Sequence, residues 1–95
     1  MRIEWTVSAL IDLKEIRDYI EQDNPRVAER VAGQIYDSVA PLEHNPLIGR
    51  SGRLAGTREL ILGNLPYILM YEVQDELIFV KRVIHTSRLW PQGMT

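Results

Sequence analysis

TRELILGNLPYILMYEVQDELIFVKRVIH, residues 57–85, decides the fold. From Thr57 onward the apolar pattern takes a period of two, and the stretch is rich in β-branched and aromatic side chains, as strands are. Gly63-Asn64 and Gln74-Asp75-Glu76 interrupt it where turns belong. The stretch therefore predicts strands at Arg58–Leu62, Tyr67–Val73 and Leu77–His85, joined as an antiparallel meander.

Upstream the pattern changes. Pro46 to Gly56 holds one proline, three glycines and two arginines and reads as a loop. Before it the period is helical. Ala9, Leu13, Ile16 and Ile20 form one apolar stripe, which predicts a helix from Ser8, its cap, to Gln22. Ala28, Val31, Ile35, Val39 and Leu42 form a second stripe, on a helix of about 18 residues. Asp23-Asn24-Pro25 separates the two, with Asn24 as cap and Pro25 at the first helical position. So short a connection predicts an antiparallel helical hairpin. Pro41 predicts a kink or an early end. Arg2 to Trp5 alternates and reads as a short strand. The order is β-α-α-β-β-β: an α+β chain, residues 1–95 as a single domain, with the N-terminal helical hairpin packed on an antiparallel sheet.

Composition narrows the function classes. The chain has no cysteine, which excludes disulfides, thiolate catalysis and Cys-based zinc sites. No apolar run approaches the roughly 20 residues of a membrane span, and Met1-Arg2-Ile3-Glu4-Trp5 is not a signal peptide. A cytoplasmic protein without membrane contact is expected. The net charge of −2 argues against a general nucleic-acid binder. It is unevenly spread. Residues 1–45 carry five Lys/Arg against nine Asp/Glu, and residues 46–95 carry six against four. A basic working face and an acidic back would give this asymmetry, as would scatter over two solvated faces.

Several short pieces stand in a telling order: Trp5, Ala9, Asp12-Leu13, Ile16 and Tyr19-Ile20; Asp23-Asn24-Pro25; Pro46, Gly49-Arg50 and Gly52-Arg53; Gly56-Thr57-Arg58-Glu59-Leu60; Pro66-Tyr67 and Tyr71; His85, Arg88 and Trp90-Pro91. In this order and spacing the chain resembles the RelE/ParE toxin superfamily of type II toxin–antitoxin systems, and within it the RelE/StbE-like branch. The resemblance implies a cognate antitoxin protein as partner and growth arrest when the toxin is free. It implies one of two targets, and a ribosome-dependent mRNA endoribonuclease that arrests translation is the expected reading, with a DNA gyrase poison as the alternative. RelE-like members cut mRNA on the ribosome, and ParE-like members poison DNA gyrase.

RNA cleavage by a 2′-OH would need a base, positive charge on the phosphate oxygens and an acid for the leaving oxygen. It requires no metal or other cofactor, and two histidines without a close carboxylate pattern give no metal site. His85 is the first candidate for acid–base work, because imidazole titrates near neutral pH and some RelE-like enzymes, which differ in the residue used, place a histidine near this position. Arg58 and Arg88 complete the candidate catalytic set, since guanidinium forks onto phosphate. Arg50 and Arg53, in the glycine-rich loop where they could swing over RNA, and Lys81, which shares a face with His85 in a regular strand, are candidate substrate contacts. Tyr67, Tyr71 and Trp90 are candidate stacking residues for bases. Each has a plainer alternative: a locally bonded histidine, surface ion pairs such as Arg58 with Glu72, tyrosines buried in the core, Trp90-Pro91 pinning the C-terminal segment, and a structural Glu59. One departure, with a C-terminal half that reaches only +2, weakens the nuclease reading and leaves gyrase poisoning open. Where strong nucleases of this type carry an arginine, Pro66-Tyr67-Ile68-Leu69-Met70-Tyr71 has no basic residue.

Overall fold

The structure, a computed structural model, describes residues 1–88. The chain begins with strand β1 (Arg2–Trp5) and turns into helix α1 (Val7–Glu21). Thr6, not Ser8, is the cap: its hydroxyl oxygen accepts from Ala9 N at 3.2 Å while the hydroxyl donates to Val80 O at 3.0 Å. The capping residue thus also ties the helix start to the sheet, a second role that local sequence does not display. Helix α2 (Pro25–Asp37) starts as expected, with the Asn24 side chain accepting from Val27 N and Pro25 in the first turn. It ends early. Ahead of Pro41 the chain tightens into a 3₁₀ turn, Ala40–Glu43, which keeps Leu42 buried.

The loop after it contains a two-residue strand, β2 (Arg50–Ser51), followed by β3 (Arg58–Ile61), β4 (Tyr67–Gln74) and β5 (Leu77–His85). A short 3₁₀ turn, Thr86–Arg88, closes the described chain. The sheet has five strands in the order β1-β5-β4-β3-β2. The meander forms as predicted, but the sheet is mixed: β1 runs parallel to β5, pairing Trp5 with Val80. The helical hairpin between β1 and the meander is the crossover that a parallel pair needs.

Both helices cover one face. Ala9, Val31, Ile35, Val39 and Leu42 pack there against Leu62, Tyr67, Leu69, Tyr71, Ile78, Val80 and Val83. Ile35, Leu42, Leu69, Tyr71, Ile78 and Val80 are the largest fully buried side chains, and full burial of each aliphatic one stabilises the fold by about 1.5–3 kcal/mol. Central strand β4 is buried on both faces, since Ile68 and Met70 are also covered. That explains its unbroken apolar run. No helix among the described residues is long and apolar enough to cross a membrane.

One irregularity sets the direction of the functional side chains. Tyr71 pairs with Val80 and Met70 with Arg82, so Lys81 is an extra residue, a β-bulge. The bulge resets the alternation along β5. Ile78, Val80, Val83 and His85 all fall on the helix face, and Lys81 does not share that face with His85 through regular alternation as expected.

Candidate functional site

Beyond Val80 strand β5 loses its β1 neighbour, and its outer edge would be left with unpaired backbone groups. Helix α1 takes over. Asp12 accepts from Val83 N at 2.9 Å and holds the Arg82 guanidinium through Nε at 2.7 Å and Nη2 at 3.1 Å. This hydrogen bond, more than the nearby charge, raises the Arg82 pKa above its usual value. C-terminal to Asp12, a cleft of about 570 Å³ separates α1 from the sheet. Ile16, Ile20, Tyr67 and Val83 line it with Asp12, Glu15, Tyr19, His85 and Ser87.

His85 therefore stands in a cleft on the helix side. Its ring meets Tyr67 edge-on, with centroids 5.2 Å apart. Nδ1 accepts from Ser87 N at 3.1 Å and lies 2.7 Å from Ser87 Oγ. A backbone N–H can only donate, so Nδ1 is the acceptor and the proton of the neutral ring sits on Nε2.

The candidate arginines are elsewhere. Arg58 pairs with Tyr71 and His85 with Tyr67, at opposite ends of the same stretch of β4. Four residues of strand separate them by about 13 Å along its length. Arg58 donates to Gly49 O at 2.8 Å and so holds the loop, rather than pairing with Glu72. Arg50 and Arg53 do not swing free as the glycine-rich loop suggested. Glu59, 2% exposed, receives Arg50 Nε and Nη2 at 3.1 and 2.9 Å and Arg53 N at 3.2 Å, with Arg53 Nη1 at 3.9 Å. The structural role suggested for Glu59 is thus what its contacts perform.

Tyr71 is not placed to stack on a base. It is fully buried, and its hydroxyl donates to Pro46 O at 2.7 Å and accepts from Gly49 N at 2.9 Å. Tyr67 is also buried and shows the cleft little more than a wall. Lys81 is exposed on the bulge. The Arg88 side chain and Trp90 lie outside what the structure describes. Among the described residues no three His, Asp or Glu side chains are grouped to hold a metal ion. The sequence reading missed Asp12, Glu15 and Tyr19 as neighbours of His85. The signal was the α1 periodicity itself, which sets Asp12, Glu15 and Tyr19 beside the Ile16–Ile20 stripe.

The comparisons with known proteins agree with this architecture. Residues 3–90 match the family model described as the ParE toxin of a type II toxin–antitoxin system, parDE. The chain is 43% identical to Y4kP of Sinorhizobium fredii, a candidate toxin, over 96% of this chain and 94% of that protein. It is 39% identical to toxin RelE2 of Caulobacter vibrioides, over 93% and 98%. Among solved structures, a chain of the chromosomal ParDE toxin–antitoxin system from P. aeruginosa superposes with a TM-score of 0.81 at 30% identity, covering 90% of this chain and 95% of that one. The toxin–antitoxin complex RelBE2 of Mycobacterium tuberculosis gives 0.60 at 25% identity, covering 88% and 95%. With a family model matched from β1 to beyond β5, the chain belongs to the ParE toxin family of type II toxin–antitoxin systems, within the RelE/ParE superfamily.

Proposed function

We propose that this toxin arrests growth by binding DNA gyrase, cuts no RNA itself, and is held inactive by a cognate antitoxin. The observation that carries this reading is electrostatic. Among the described residues the charged side chains lining the cleft of His85 are Asp12, already paired with Arg82, and Glu15, while Arg50, Arg53 and Arg58 are bound to Glu59 and to loop carbonyls. Phosphoryl transfer needs preorganised positive charge at the phosphate, and among the described residues no Lys or Arg lines the cleft, where the Glu15 carboxylate opposes a polyanion. The ParDE relative at TM-score 0.81 supports the same side.

A second reading, a ribosome-dependent mRNA endoribonuclease, has one observation in its favour. Ser87 fixes the His85 tautomer with its proton on Nε2, the arrangement of an imidazole that donates to a leaving oxygen. The similarity to RelE2 points the same way. In this reading His85, Arg58 and Arg88 would act on the message, and Arg50, Arg53, Lys81, Tyr67 and Trp90 would hold it.

One induction separates the two. DNA and protein synthesis are pulse-labelled in parallel for the wild type and His85→Ala. DNA synthesis is expected to fall first, with gyrase-linked double-strand breaks, and His85→Ala is expected to remain toxic. Prompt arrest of protein synthesis with cut messages, abolished by His85→Ala, would overturn the gyrase reading.

A further inference from the structure

The sheet has two edges. At one, β2 is two residues long. At the other, β1 runs for four residues, and among the described residues no strand lies outside it. Arg2 N donates to Glu76 O at 3.2 Å and Thr6 N to Val80 O at 3.1 Å, so the even-numbered positions of β1 bond β5. The peptide groups of Ile3 and Trp5, which alternate with them, point the other way, toward the open edge. Strand groups left unpaired at an edge are a template for another strand.

Side chains decide which strand fits. Ile3 and Trp5 pack against the core from the helix face, and Trp5 stacks on Tyr36 with ring centroids 5.2 Å apart. Tyr36 is 53% exposed and Met1 36%, so apolar surface stays open on the same side of the strand. Arg2 and Glu4 stand on the other face, exposed and ion-paired at 3.5 Å.

We propose that β1 pairs with β1 of a second copy of this chain, antiparallel about a twofold axis at Ile3. In that register Ile3 meets Ile3, and the outward N–H and C=O groups of both are bonded. Arg2 of each copy stands across from Glu4 of the other, and Trp5 stands across from Met1. Opposite charges directly across a strand pair stabilise it, and like charges destabilise it. Moving the axis to Glu4 would set Glu4 against Glu4, which disfavours that register. A twofold interface must be complementary to itself, and Arg2-Ile3-Glu4 is so when read in reverse. Charge thus selects the occupant. A partner strand of uniform sign would meet a like charge at Arg2 or at Glu4, and nucleic acid would meet Glu4. The inference goes beyond the gyrase reading and does not rest on it.

The test follows the full-length toxin alone by sedimentation over a dilution series. A four-residue edge makes a small interface, so a weak monomer–dimer equilibrium is expected. Amide exchange at Ile3 and Trp5 should slow as concentration rises, and exchange at Glu4, bonded to β5, should not change. Arg2→Glu and Glu4→Arg alter exposed side chains, so the thermal midpoint should hold. Each alone is expected to weaken self-association by about tenfold. Mixed together, the two variants should associate with each other, and the double variant should pair with itself again. A wild type that stays monomeric throughout, or a dimer indifferent to these exchanges, would overturn the proposal. So would protection of Ile3 and Trp5 that arises only when the antitoxin is added, which assigns the edge to that partner. None of these readouts involves growth arrest, so a toxin that proves to cut RNA changes no outcome.

Discussion

Two regions of this molecule each bring charged and aromatic side chains together, and they use them in opposite ways. At the corner where the loop meets β3 and β4, the arginines and the tyrosine hydroxyl turn inward and satisfy one another. Tyr71 holds Pro46 and Gly49, Arg58 holds Gly49, and Glu59 gathers Arg50 and Arg53. At the α1–β5 cleft, apolar side chains face solvent and a carboxylate stands at the lip. Residue type alone therefore does not report a working surface. What reports it is whether the fold has already used the residue's bonding capacity. The corner is used up and the cleft is open. On this comparison the corner should respond to mutation through stability, and the cleft through binding.

The sharpest way to break the comparison is Tyr71→Ala. It opens a cavity beside Leu69 and Val80 and removes both hydroxyl bonds to the loop. The expected loss is about 3–5 kcal/mol by urea unfolding. Tyr71→Phe keeps the ring and should cost about 1–3 kcal/mol, since it leaves the Gly49 N–H without its partner. Trypsin should then cut at Arg50 or Arg53 faster than in the wild type. Gly49→Ala tests the same corner from the other side, because a Cβ there would stand 2.7 Å from the Tyr71 hydroxyl and 2.9 Å from Glu59 O. If Tyr71→Phe proves neutral and the loop stays protected, the corner is not held as described.

A middle-sized effect is expected at Asp12, which belongs to both regions' logic: it is satisfied, yet it lines the cleft. Asp12→Ala leaves Val83 N–H without an acceptor and releases Arg82, whose side chain is half exposed. The cost should be about 1–2 kcal/mol. Amide exchange at Val83 should accelerate selectively. Asp12→Asn keeps an acceptor for that N–H and should recover part of the loss. Unchanged exchange at Val83 in Asp12→Ala would show that the β5 edge is protected by something else.

Much of the fold was legible because it is written in short-range patterns. The Asn24-Pro25 cap, the Leu77–His85 strand and both hairpins follow from local spacing. What was hidden depends on contacts distant in sequence. The parallel β1–β5 pair joins residues about 75 positions apart, and no local signal carries strand direction. The Lys81 bulge was equally invisible, and it alone decides which face His85 occupies. Arg50 and Arg53 read as mobile cations because Gly49 and Gly52 flank them. A buried Glu59 on the neighbouring strand overrides that, and strand register is what brings Arg50 opposite it. The Arg58–Tyr71 pairing, too, separates Arg58 from His85 through register alone.

The smallest effect should fall on the exposed face of α1, where charge acts without burial. Lys14 Nζ donates to Asp18 Oδ2 at 2.6 Å, an i,i+4 pair. That hydrogen bond, with lesser help from Arg17, holds the Asp18 carboxyl below its usual range. A carboxyl whose folded pKa is depressed stabilises the fold above its unfolded value of 3.8, and that stabilisation fades as pH falls through the lower folded value. Lys14→Ala should therefore lower stability slightly at neutral pH and flatten the acid limb of the stability profile. At the acid end, with Asp18 protonated in both proteins, the difference should vanish. Both side chains are solvent-exposed, so added salt should shrink the neutral-pH difference as well. A difference that persists in acid and in salt would mean that Lys14 contributes through packing of its stem. The outer face of α1 would then resemble the loop corner more than an open surface.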